Sequence, residues 1–119
     1  MTPGDKEILL KDLCARLPYG VKMNHIANEE HSPVTLIGIA KDMITLEGNG
    51  GYSTENVEEF KPYLFPVSSM TEEQKEEWRG IRWSKLPWDE LDWLNKGQWD
   101  YKHFIEKGLA IDATNKNIY

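Results

Sequence analysis

Five tryptophans, three histidines and a single cysteine are the side chains of this sequence best suited to chemistry or recognition. The tryptophans crowd between positions 78 and 99. Trp78, Trp83, Trp88 and Trp93 recur every five residues, and Trp99 follows. An indole offers a large apolar face and one N–H donor, so it either fills a core or stands on a surface to stack against something else. Arg79, Arg82 and Lys85 lie among the first of them and give residues 78–85 a basic-aromatic character. That composition suits a protein-binding hot spot or a platform for unpaired bases. Glu72, Glu73, Glu76 and Glu77 precede the stretch and Asp89, Glu90 and Asp92 follow it, which disfavours a nucleic-acid groove. The interaction surface expected from these residues is Trp83, Trp99, Arg79, Arg82 and Lys85.

The remaining reactive residues form no recognisable catalytic pattern. His25 and His31, with Glu29 and Glu30 between them, fit no zinc-binding spacing. His103 beside Phe104 reads as a packing or surface residue. Gly48-Asn49-Gly50-Gly51 lacks the Lys-Ser/Thr of a phosphate-binding loop and opens no helix. Cys14 falls on an apolar helical stripe without a thiolate-stabilising neighbour, so it reads as a small core residue. No Ser-centred elbow or Cys-His pair with an orienting third group stands out. The sequence therefore predicts no catalytic residue, no cofactor and no metal site. A small enzyme ranks below a protein-docking module and a nucleic-acid-binding accessory protein using Arg79, Arg82, Lys85 and exposed tryptophan.

Bulk properties narrow the class. A chain of 119 residues is one ordinary domain or two very small units sharing an interface. Hydrophobic residues make up 39% and charged residues 29%, close to globular averages, which disfavours disorder. The net charge of −6 favours solubility and opposes long-range attraction to phosphate backbones. One cysteine excludes an intrachain disulfide. No apolar run approaches the ~20 residues of a membrane span, and no signal peptide is evident. These features predict a cytoplasmic protein without membrane contact, and they leave the oligomeric state open.

Local patterns supply the elements. Thr2 caps a helix with Pro3 at its first position and Asp5 in its first turn. Ile8, Leu9, Leu10, Leu13, Cys14 and Leu17 form its apolar stripe, and Pro18 ends it. Val21, Met23 and His25 alternate as a strand, and residues 28–33 read as a loop. Residues 34–40 are β-rich and apolar, with Gly38 marking a bulge. Lys41-Asp42 turns the chain into residues 43–46, and the Gly48–Gly51 turn leads to Tyr52 and a last short strand or helical turn at residues 57–60. Pro62, Pro66 and Ser68-Ser69 read as a junction. Thr71 and Gln74 form a capping box for a helix from about Glu72 to Trp78 or Arg79, ending near Gly80. Pro87 opens a second helix that stops before Gly97, with Trp88, Leu91 and Leu94 inward. Asp100 caps a third, with Tyr101, Phe104 and Ile105 on one side and Gly108 as its stop. The tail from Asp112 is polar and reads as loose.

A step of five residues rotates by roughly 140° on a helix, so the tryptophans cannot stack along a single axis. They meet only if separate segments fold back, with Trp78, Trp88 and Trp93 pinning short helices together. The expected fold class is α+β. Residues 1–67 would place a helix on a small bent antiparallel sheet, with an SH3-like half-barrel as one form of it. Residues 68–119 would add a Trp-rich three-helix unit packed on the first part as one domain overall.

Three blocks also resemble a known group. They are residues 13–22 (Leu-Cys-Ala-Arg-Leu-Pro-Tyr-Gly-Val-Lys), residues 60–73 (Phe-Lys-Pro-Tyr-Leu-Phe-Pro-Val-Ser-Ser-Met-Thr-Glu-Glu), and a stretch from Asp92-Trp93-Leu94-Asn95 through Asp100-Tyr101 to residues 105–110. Together they are similar to small uncharacterised proteins of phages, prophages and mobile elements of gut Bacteroidales. The Lys-Pro-Tyr-Leu-x-Pro-x-Ser-Ser-Met-Thr-Glu-Glu motif is the most specific. The resemblance implies a bacterial or phage cytoplasmic protein and transfers no activity or site. The functional expectation is a non-enzymatic accessory protein that docks on another protein.

Overall fold

A computed structural model of the chain describes residues 1–27, 33–48, 50–83 and 87–119, without the side chains of Pro87 and Trp88. Helix α1 (Pro3–Arg16) begins at a complete capping box: Thr2 Oγ1 accepts from the Asp5 N–H, and the Asp5 carboxylate accepts from the Thr2 N–H. A 3-10 turn over Leu17–Tyr19 carries Pro18, and Gly20, at φ 70°, turns the chain into the sheet. Strands β1 (Lys22–His25), β2 (Val34–Ala40), β3 (Met43–Gly48), β4 (Gly51–Asn56) and β5 (Phe60–Pro66) follow. Then come α2 (Glu72–Trp83), α3 (Pro87–Lys96) and two very short strands, β6 (Trp99–Asp100) and β7 (Ile111–Asp112). The fold is α+β.

The strand order is β4-β3-β2-β1-β5-β6, with β7 also on β5. The β1 to β5 pairings are antiparallel, whereas β6 and β7 join β5 in parallel, so the sheet is mixed and not purely antiparallel as expected. The register of β2 on β3 slips between Leu36 and Gly38, the irregularity that Gly38 predicted. Gly48 packs so closely on Val34 that an added Cβ would lie 2.5 Å from Cγ1 of that valine, so the β3 end of the turn tolerates only glycine without rearrangement.

The stretch around Pro62 and Pro66 is not a junction but a strand, and it is the one on which both halves of the chain meet. Met23 pairs with Pro62, Tyr63 with Ile111 and Phe65 with Trp99. Because the ladder on β5 is shared among three short partners, no long run of N–H donors is required of it, and the prolines are accommodated. Three further expectations also fail. Helix α2 runs through Gly80, whose α-carbon faces open space, to Trp83. The segment from Asp100 to Gly108 is a series of turns and not a third helix; its cap is real, since the Asp100 carboxylate accepts from the N–H groups of Phe104 and Ile105. The tail is tied down: the Ala113 N–H donates to Leu64 O, and the Tyr119 hydroxyl accepts from the Lys22 N–H and donates to Tyr63 O, bridging β1 and β5.

Helix α1 covers the sheet with Leu9 and Leu13, which join Met23, Leu36, Ile44 and Leu64 in the main core. Its buried stripe is Leu9, Asp12, Leu13 and Arg16, an i, i+3, i+4, i+7 set that includes two charges at 0% exposure. Cys14, expected inside, is exposed, because burying Asp12 and Arg16 turns the helix away from it. Arg16 Nε donates to Asp12 Oδ2 at 2.7 Å, and Arg16 Nη2 donates to the Trp99 carbonyl at 2.7 Å. The guanidinium carbon lies 5.3 Å from the Tyr101 ring centre, and Lys102 Nζ stands 3.5 Å from Asp12 Oδ1. At the other end of α1, Lys6 bridges Asp42 of the β2–β3 turn and Glu58, and this contact holds the Asp42 carboxyl below its ordinary range.

Removing one member of a fully buried pair leaves an uncompensated charge. Arg16→Met should therefore cost about 3–5 kcal/mol in urea unfolding, and the Asp12→Leu/Arg16→Met double variant should lose less than that single variant. Burial pushes the Tyr119 phenol above its ordinary range. A raised folded pKa means stability that is whole below pH about 10 and drains away as pH rises past it. Tyr119→Phe should cost about 1–2 kcal/mol at neutral pH and flatten the alkaline loss of stability, as followed by unfolding between neutral and strongly alkaline buffers.

Candidate functional site

Helices α2 and α3 lie against each other, and their acidic residues have a structural use. Trp78 of α2 donates its indole N–H to Glu90 of α3 at 3.1 Å, and Trp93 of α3 donates to Glu77 of α2 at 3.0 Å. Each helix thus satisfies the indole of the other, an exchange that fixes both rings. The Arg82 guanidinium sits 5.4 Å from the Trp78 ring and 3.6 Å from Glu90, closing a ring–cation–carboxylate cluster. The start of α2 is set by the expected capping box, with the Thr71 N–H on Gln74 Oε1 and the Gln74 N–H on Thr71 Oγ1.

The indoles do fold back on one another. Trp93 and Trp99 have ring centres 6.3 Å apart and planes within 17°, and Phe65 of β5 lies 5.7 Å from Trp99. Met70, Leu94 and Trp99 form the buried centre of this second core, with Trp78 and Trp93 half-buried against it. The Trp88 side chain lies outside the described residues. Leu91, expected to face inward on α3, is exposed; Leu94 carries the packing.

Of the five residues expected to form an interaction surface, three come together. Trp83 is 81% exposed at the end of α2, and Arg79 and Arg82 border it around a shallow depression of about 300 Å³. Arg79 also pairs with Glu76 along the helix at 3.1 Å. Lys85 lies outside the described residues. Trp99 is not part of that surface: it is 6% exposed, forms the β6 rung on Phe65, and is pressed so tightly by Gly97 that a Cβ there would lie 2.4 Å from Trp99 Nε1.

Sequence reading missed the roles of Asp12, Arg16 and Tyr119, whose types are ordinary on a surface or at a tail. It also missed a cleft of about 560 Å³ between β5, α2, α3 and the tail, with Phe65, Trp93 and Trp99 among its walls. Tyr101 packs against the core of Met70, Leu94 and Trp99; burial pushes its phenol upward, the Asp12 carboxylate adds to the effect, and its hydroxyl donates to Asn95 Oδ1 at 2.8 Å. His25 has its ring edge on Phe60 and accepts from the Ala27 N–H, while His31 lies outside the described residues. Among the described residues no three His, Cys, Asp or Glu side chains are grouped to hold a metal ion. No helix among them is long and apolar enough to cross a membrane.

No family model matches the chain, and no match is found among curated proteins or solved structures. Trp83→Ser should change stability by no more than about 0.5 kcal/mol, whereas Trp99→Ala should cost about 3–5 kcal/mol and collapse the near-ultraviolet aromatic signal, as read by paired unfolding and circular dichroism.

Proposed function

We propose that this protein is a non-enzymatic docking module, an accessory protein that binds another protein through the end of α2. The observation that carries the reading is the contrast among the indoles: Trp78 and Trp93 are held by carboxylates, Trp99 is buried, and Trp83 alone of the four described is displayed to solvent. An exposed tryptophan gains on the order of 2 kcal/mol or more when it enters a partner's pocket. Arg79 and Arg82, each with more than half of its side chain exposed, add a positive rim. The partner that fits is a protein with an apolar pocket edged by carboxylates.

The nucleic-acid reading is weaker on the same residues. Glu76 and Glu90 partly neutralise the two arginines, and the chain as a whole is acidic. The resemblance noted above suggests the lysate in which to look, that of a gut Bacteroidales cell. The immobilised full chain should retain a protein from it that is lost with Trp83→Ser, weakened by added salt and by Arg79→Glu/Arg82→Glu, and retained with Tyr52→Ser, a change at another strongly exposed aromatic. Retention that survives Trp83→Ser contradicts the proposal. So does retained material that nuclease removes, which would restore the nucleic-acid reading.

A further inference from the structure

A second site lies away from Trp83. We infer that the cleft between α2, α3, the end of β5 and the C-terminal tail binds an uncharged, hydroxylated ring, the chemistry of a saccharide unit. Its volume of about 560 Å³ is that of a small-ligand pocket and is set between several elements, as such sites usually are. Phe65, Trp93 and Trp99 supply aromatic surface. The rest of the wall is mainly neutral and capable of hydrogen bonding: Ser69, Thr71, Gln74, Thr114 and Asn115. Among the described residues the charges that line it, Glu77 and Lys96, are of opposite sign, so neither an anion nor a cation is selected.

The cleft is pre-shaped, not improvised. Trp93 is oriented by Glu77, and Thr71 and Gln74 are locked by their capping box. The tail that carries Thr114 and Asn115 is held by the Asp112 carboxylate on the Thr114 N–H and by the Tyr119 hydroxyl between β1 and β5. Asn115 holds a left-handed backbone at φ 63°, a conformation that asparagine adopts readily and that sets the course of the tail here. The hydroxyl oxygen of Thr114 is buried without a hydrogen-bond partner. The hydrogen-bonding edge open to a ligand is therefore that of the other neutral side chains of the wall, Ser69 and Asn115 among them.

Geometry also argues against a flat heterocycle sandwiched between Trp93 and Trp99. Sandwiching one between two indoles needs ring planes about 7 Å apart, twice the ~3.5 Å contact distance. The Trp93 and Trp99 centres are 6.3 Å apart, and Phe65 is tilted by 53° to Trp99, so the aromatic wall is an angled surface and not a slot. A puckered ring with an apolar face and hydroxyl edges matches that wall and its neutral rim.

The test uses the full chain labelled with fluorotryptophan, whose five resonances separate the sites. Methyl β-glucoside, cellobiose and diacetylchitobiose are titrated, with adenosine and inorganic phosphate as contrasts. At least one saccharide should shift Trp93 and Trp99 saturably with Kd on the order of 1 mM or tighter, and leave Trp83 unmoved. Asn115→Ala, checked for an unchanged unliganded spectrum, should weaken it about three- to tenfold. No shift at Trp93 or Trp99 up to the solubility limit of all three saccharides overturns the inference. So does a tighter response to adenosine or phosphate, or a saccharide shift that Trp83 shares equally.

Discussion

The guanidinium of Arg16 is wholly removed from water, held by one partner on its own helix and by others from the far end of the chain. Asp12 supplies the counter-charge one helical turn away, the Trp99 carbonyl accepts a second hydrogen bond from a residue 83 positions distant, and the Tyr101 ring lies beside it. Burying a charge is costly unless it is paired and hydrogen-bonded, and although Arg16 Nη1 has no partner, Nε and Nη2 do, so the seat of α1 on the sheet depends on the carbonyl that β6 supplies. The constraint is mutual. Trp99 sits on β5 through Phe65, and the turn that follows it is closed by the Asp100 carboxylate. The first helix and the last third of the chain therefore specify each other's position, with β5 as the rail on which both are mounted.

That arrangement explains which parts of the fold were legible. Local chemistry was easy to read: the caps at Thr2 and Thr71, the hairpin turn at Lys41-Asp42 and the bulge at Gly38 depend on residues within a few positions of each other. Strand β5 was not, because Pro62 and Pro66 carry a local penalty that only its short, divided set of partners relieves. The helical facing of α1 misled at Cys14 for a related reason. Apolar periodicity counts Asp12 and Arg16 as surface, and their burial depends on a carbonyl supplied from the far end of the chain. Asp100 offered a genuine cap, but its two N–H partners close turns instead of launching a helix.

The tryptophan belt was read correctly as segments folding back, and incorrectly in its division between inside and outside. The sequence places Trp99 on the same expected surface as Trp83. What separates them is tertiary: Gly97 and Phe65 enclose Trp99, and nothing described encloses Trp83 to the same degree. Two of the carboxylates that seemed to surround a would-be basic platform, Glu77 and Glu90, hold indole N–H groups across the α2–α3 pair. One cluster thus braces the helices, carries Trp83 exposed at the end of α2 and borders a walled cleft.

Native-state hydrogen exchange in rising urea tests the mutual dependence of the two halves most directly. The amide of Leu36 bonds to Val21 within the N-terminal half, whereas the amides of Phe65 and Ala113 report the joints made by Gln98 and Leu64. If the buried Arg16 network and β5 unite the chain, all three amides exchange through a single global opening with the same free energy and the same urea dependence. If Phe65 and Ala113 exchange through a smaller, nearly urea-independent opening while Leu36 stays protected, the C-terminal third is only an attachment and the account is wrong.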